Sequence, residues 1–368
     1  MNNDLLTRTE CNVMRGVAIL GIFLHNYCHW LGPVVKENEY QYFQHNVDWL
    51  MQVCAHPDSL LPMHLLSFFG HYGVPVFLFL SAFGLERKYG NTCPGPRLEP
   101  SVSVWNFVRY HFLKLFKMMI VGFICFTIVD AITPHSWHYT VVQIVAQLGM
   151  VNNWLPQPDD NIWPGPYWFF GLMLQLYIVY RLLLYRRHWG WTVGLMAVCL
   201  GVQMILPPES DALNYYRYNF MGGMLPFGLG LLFARYGERI ILVRLNFLGA
   251  LMSLVVCSFF IISMSGNYYM WALVPAMVCY ATVYLVKTIE LLPFARLRSG
   301  LWYAMSWMGS VSAALFVIHP VLRKVFIPIS HHGYNYTGLL LYVIASLGAA
   351  WLLKEVMKKI PNPKISNA

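Results

Sequence analysis

The chain has 368 residues, of which 58% are apolar and only 11% are charged. Soluble domains carry about 25% charged residues, so this sequence cannot cover a water-facing surface, and a soluble globular protein is excluded. The net charge of +9 invites a nucleic-acid reading, but the placement of the charges along the chain answers otherwise.

Apolar stretches of roughly 20 residues recur throughout, the length that crosses hydrocarbon about 30 Å thick. Backbone polar groups must pair internally in that medium, which favours helices. Barrel strands would alternate polar and apolar residues, and these segments do not. The expected fold is all-α: one membrane-embedded domain over residues 1–368, a polytopic bundle of about ten transmembrane helices. Spans are expected at 12–32, 65–85, 111–132, 167–185, 190–207, 219–235, 242–264, 268–288, 300–322 and 337–356. The first is too long for a cleavable signal peptide, carries Arg15, His25 and His29, and precedes no small-residue cleavage site.

With these spans, all but four of the 25 lysines and arginines fall on one side. The exceptions are Lys36, Arg217, Arg323 and Lys324. This is the positive-inside pattern, which puts both termini and the basic loops in the cytoplasm. The basic balance is topology, and no nucleic-acid partner is expected. The eight cysteines, Cys93 among them, form no CxxC pair. Most sit within spans as small hydrophobes, so neither a disulfide framework nor a zinc site is expected.

Ionisable residues inside a membrane are costly and are functional candidates by default. In the first span, ten residues of helix raise His25 about 15 Å above Arg15, past mid-depth toward the outer side. His25 and His29 share a face at i, i+4, with Asn26 beside them. An imidazole kept neutral by hydrocarbon can accept a proton, which makes His25 a candidate general base. The same position also suits a polar residue bonded between helices or snorkelling to the interface. A metal held by His25 and His29 would need further ligands. With no nearby carboxylate, third histidine or HExxH context, none is expected.

The cytoplasmic entry to the third span carries Arg109, His111, Lys114 and Lys117 on spacings that gather charge along one side of a helix. Such a cluster suits the phosphates of a donor, and equally suits anchoring to anionic lipid. The outer loop 133–166 has no lysine or arginine but holds Trp137, Trp154, Trp163, His135, His138, Asp159 and Asp160. Rings with carboxylates suit a sugar-binding surface, and tryptophan is also the usual resident of the interface. The outer segment 33–64, with His45, His56, His64, Asp48 and Asp58, is a candidate lid.

Four segments in order resemble the acyltransferase-3 family of membrane acyltransferases. Arg15-Gly-Val-Ala-Ile-Leu-Gly-Ile-Phe-Leu-His25 is similar to its opening basic-Gly-Ile-Ala-apolar-His helix. Gly73-Val-Pro75-Val-Phe-Leu-Phe-Leu-Ser81-Ala82-Phe83 resembles its Val-Pro span. Tyr167-Trp168-Phe-Phe-Gly-Leu-Met-Leu-Gln175-Leu-Tyr177 resembles its Leu-Trp-Phe-Leu span, and Gly309-Ser310-Val-Ser312-Ala-Ala-Leu-Phe-Val-Ile-His319-Pro320 its late His-Pro helix. Lys114-x-x-Lys117 stands where the family carries an arginine pair, Ala82 where it has a glycine, and Phe316 where it has a tyrosine.

The resemblance implies transfer of an acyl group, usually acetyl, from cytoplasmic acyl-CoA to a hydroxyl of an extracytoplasmic glycan or lipid-linked sugar. His25 would be the general base, and Arg15, Arg109, Lys114 and Lys117 would bind the donor. Asn26, His29, Ser81 and His319 would support them. Acyl-CoA would be a co-substrate with no bound cofactor, and the location a bacterial cytoplasmic (inner) membrane. The competing expectation is a transporter or flippase of a lipid-linked sugar. It finds no internal repeat and no matched pair of interrupted helices.

Overall fold

The computed structural model describes residues 6–90, 103–240 and 246–364. Cys93, Arg97 and Arg244, and the first residues of the expected span at 242, lie outside the described residues. Ten principal helices follow one another: α1 (Arg8–Cys28), α2 (Gly73–Tyr89), α3 (Val104–Ile132), α4 (Trp168–Val179), α5 (Trp189–Ile205), α6 (Phe220–Ile240), α7 (Phe247–Ser265), α8 (Val274–Glu290), α9 (Ala295–His331) and α10 (Asn335–Lys359). Each overlaps one stretch expected as a span, and no strand occurs among the described residues. Six helical segments are long and apolar enough to cross a membrane, including the continuous run Leu61–Tyr89 that ends in α2.

Helices α3, α7 and α10 present Ile124, Ile128, Phe259, Ile262, Leu340 and Ile344 outward. Apolar bands of this kind on a folded surface need lipid as solvent. The protein is an integral membrane protein.

Helix α1 sits at the centre, packed on α9, α2 and the Leu61–Phe69 segment. It begins in a capping box, Thr7 and Glu10 each bonding the other's backbone amide, which satisfies two orphan donors. Glu10 then pairs with Lys287 of α8. Its crossing with α9 is backbone-close: a Cβ on Gly16 would stand 1.9 Å from the Met305 carbonyl, and one on Gly309 1.9 Å from that of Asn12. Asn12 Nδ2 donates to the Ser306 carbonyl at 2.7 Å and pins the register.

Buried ion pairs tie the helix ends together. Glu86 of α2 accepts from Arg235 of α6 through both carboxylate oxygens, at 2.9 and 3.1 Å. Asp130 in the last turn of α3 pairs with Lys324 of α9 and accepts from the Trp137 amide. Glu86→Gln leaves the largely buried Arg235 uncompensated, and is expected to cost about 3–5 kcal/mol. A lowered thermal midpoint of the purified protein in detergent checks this.

Candidate active site

His25 lies in the last turn of α1, 2% exposed. Its Nδ1 stands 2.7 Å from the Ser67 carbonyl. A carbonyl only accepts, so in the neutral ring Nδ1 carries the proton and Nε2 keeps a free lone pair. Opposite the ring, the chain passes so close that a Cβ on Gly70 would meet His25 Cβ at 2.6 Å. Gly70→Ala is therefore expected to push the imidazole out of register. A displacement of about 1 Å typically lowers a rate about 10²-fold, and initial rates at matched protein levels would read it.

The lone pair of Nε2 faces Glu37 Oε1 across 3.9 Å. Glu37 also accepts from His29 Nδ1 at 2.9 Å, and the two imidazole rings lie 4.7 Å apart. Burial opposes the Glu37 charge, but the facing His29 and His25 rings outweigh it and hold the carboxyl below the usual carboxylate range. The carboxylate that the sequence offered no reason to place near the histidines is thus in the site.

Glu37 reaches this position because the segment after α1 folds inward as a strap. Lys36 Nζ bonds the His29 and Leu31 carbonyls. Trp271 Nε1 donates to the Asn38 carbonyl at 2.9 Å, and Arg217 Nε to that of Glu39 at 3.0 Å. Tyr40 stacks on Tyr218 with centroids 4.0 Å apart. Burial, followed by the charge of Glu37, pushes the Glu39 carboxyl up to about 8, so it is mainly protonated at neutral pH. The segment expected as a lid is a fixed wall over its first residues.

Behind the strap is a cavity of about 330 Å³, lined by His25, His29, Asn26 and Glu37 together with Trp30, Tyr40, Trp163, Trp168, Asp159 and Arg323. Arg323 is 5% exposed. Its Nη1 makes only long contacts with the Asn26 carbonyl and Oδ1, at 3.4 and 3.3 Å, and its guanidinium lies 4.6 Å from the Trp30 ring centre. Among the described residues it has no carboxylate partner. His71 also lines the cavity, 5.6 Å ring to ring from His25, with neither nitrogen hydrogen-bonded.

Of the residues expected from sequence, His25, Asn26 and His29 come together here. Ser81 does not: it hydrogen-bonds Tyr177, near the charge of Arg15. His319 is fully buried one turn before Arg323, donating through Nδ1 to the Leu315 carbonyl at 3.0 Å. Glu37 and His71 were not singled out by sequence, and Arg323 stood out only as a charge that broke the one-sided pattern.

The basic cluster divides. Arg15 and Lys88 lie close enough to Lys114 to act on its charge, and Lys114 and Arg109 are exposed. Lys117 is occupied, donating to the Ile360 carbonyl at 2.6 Å and to Asn362 Oδ1 at 2.9 Å. Lys117 therefore anchors the segment after α10, while Lys114 presents charge at the surface. Helix geometry puts Arg15 of this cluster about 15 Å from His25 along α1.

A family model described as an acyltransferase domain matches residues 8–355, nearly the whole chain. The chain belongs to the acyltransferase-3 family. No curated protein and no solved structure matches it. Family membership makes the chain a membrane acyltransferase, and the helices that carry the family match also build the His25 cavity.

Proposed function

We propose that this acyltransferase moves an acyl group, most simply acetyl, from acyl-CoA on the basic face to a hydroxyl of a glycan or lipid-linked sugar entering the cavity at the opposite face. The observation that carries this reading is a free imidazole nitrogen, His25 Nε2, at the floor of a cavity walled by aromatic rings and carboxyl groups. The fold is read as ten crossings of a bacterial cytoplasmic membrane with both ends in the cytoplasm. Contacts such as Arg235 with the Arg187 carbonyl support a shared face for the basic loops.

The donor's phosphates dock against Arg15, Arg109 and Lys114, and the thioester arm rises between helices to His25. Nε2 takes the proton of the acceptor hydroxyl, whose oxygen attacks the thioester carbonyl carbon. Glu37 faces the imidazolium that forms and offsets its charge. Arg323 faces the tetrahedral oxyanion, its remaining N–H groups free for that oxygen. Collapse breaks the carbon–sulfur bond, and the thiolate leaves with the proton returned by imidazolium. The Trp30, Trp163 and Trp168 rings suit the apolar faces of a sugar.

Lys114→Gln is expected to weaken donor binding about tenfold, the loss of one charge-assisted contact. Lys117→Gln is expected to leave the donor dissociation constant near wild type, because its ammonium is already engaged. Equal effects in a titration would remove the distinction. The function itself is tested by incubating purified protein with labelled acetyl-CoA and a panel of glycans. Label in the glycan supports transfer, and relocation of an unlabelled lipid-linked sugar would indicate transport instead.

A further inference from the structure

We infer that His25, His29 and Glu37 form a zinc-type metal site whose occupation shuts the enzyme down. The three side chains can each offer one ligand atom, and these atoms lie within 4.8 Å of one another. Zinc binds imidazole nitrogen and carboxylate oxygen at about 2.0–2.2 Å in a tetrahedron, whose edges are then about 3.4 Å. The His25 Nε2 to Glu37 Oε1 separation of 3.9 Å closes by a few tenths of an ångström. The His29 Nδ1 to Glu37 Oε1 separation of 2.9 Å opens by a similar amount.

The surroundings fit a metal as well as the ligands do. Metal-binding histidines usually donate their other ring N–H to a carbonyl or carboxylate, which fixes the tautomer. His25 does so, through Nδ1 to Ser67. The i, i+4 spacing on α1 brings both imidazoles to one side of the helix. The fourth position opens into the cavity, where water can complete the tetrahedron. Glu37 Oε2 and His29 Nε2 are buried with no hydrogen-bond partner, so this corner holds more polar capacity than the protein itself uses. Glu37 supplies one negative charge, and Asp159 lines the same cavity as Arg323.

The consequence for activity follows from valence. A metal on Nε2 takes the lone pair that the proposed reaction needs, so the bound form cannot accept the acceptor's proton. That consequence rests on the acyl-transfer reading, whereas binding does not, and the two are read separately.

The experiment equilibrates the purified full-length protein with zinc chloride, removes free metal by gel filtration, and measures retained zinc. The wild type is expected to keep a single ion per chain and to gain thermal stability. Glu37→Gln and His29→Gln are each expected to lose about tenfold or more in affinity. No zinc retained by the wild type, or as much zinc retained by either variant as by the wild type, overturns the site. Both variants are checked for an unchanged elution profile, and a zinc-dependent stability gain kept by either variant also counts against the site. In parallel, zinc should lower wild-type acyl transfer, with recovery on chelation. Binding accompanied by unchanged or raised activity overturns the inhibitory role. An inactive wild type before any metal is added is a failure of the acyl-transfer reading and leaves the binding result standing.

Discussion

Replacing His25 with alanine is expected to lower acyl transfer by about 10²–10⁴-fold, the usual contribution of a general base. The protein should still insert and fold. The imidazole faces the cavity through Nε2, and among the described residues its one direct hydrogen bond is to the Ser67 carbonyl. Truncation thus removes one interaction and enlarges an existing space, rather than emptying the packed core. The check is the initial rate in membranes at matched protein level, together with the thermal midpoint of the purified variant. A rate near wild type would remove His25 from the chemistry and return it to helix packing.

Arg323→Gln is the second large effect, and its signature is a separation of activity from stability. Loss of one preorganised donor to an oxyanion lowers kcat by about 10²–10³-fold. A buried guanidinium with only long contacts to Asn26 is costly to desolvate. Glutamine keeps hydrogen-bonding capacity and removes that burden, so the thermal midpoint should hold or rise. Arg323→Lys should recover part of the rate, since the charge returns without the planar fork. If the loss fell on the acceptor KM instead of kcat, Arg323 would belong to acceptor recognition.

Much of the fold was legible because lipid imposes a simple rule on sequence. Every expected span overlaps a helix. The site was legible only along one helix. His25, Asn26 and His29 could be grouped because helical periodicity is local. Glu37 lies in the strap beyond α1, and its approach depends on Trp271 and Arg217, more than 170 residues away in sequence. No periodicity reports such a contact.

A signal was present in the charges that broke the pattern. Lys36, Arg217, Arg323 and Lys324 were the four cations that the expected spans left on the minority side. In the structure Lys36 and Arg217 hold the strap, Lys324 pairs with Asp130, and Arg323 lines the cavity. A cation on the side that topology disfavours is retained for a local reason. Ser81 shows the opposite failure. Its segment resembled the family pattern, but eleven residues of helix separate it from Gly70, about 16 Å along the axis, and it joins Tyr177 instead of His25.

In the proposed reaction, a donor on one side of the membrane and an alcohol on the other meet at His25. Proteoliposomes of uniform orientation, with labelled acetyl-CoA confined to the face of Arg15 and Lys114 and a membrane-impermeant glycan acceptor confined to the face of Glu37, test it directly. The prediction is label in the glycan for wild-type protein and none above background for His25→Ala. Label appearing only when donor and acceptor share one face, or appearing equally with His25→Ala, would contradict it.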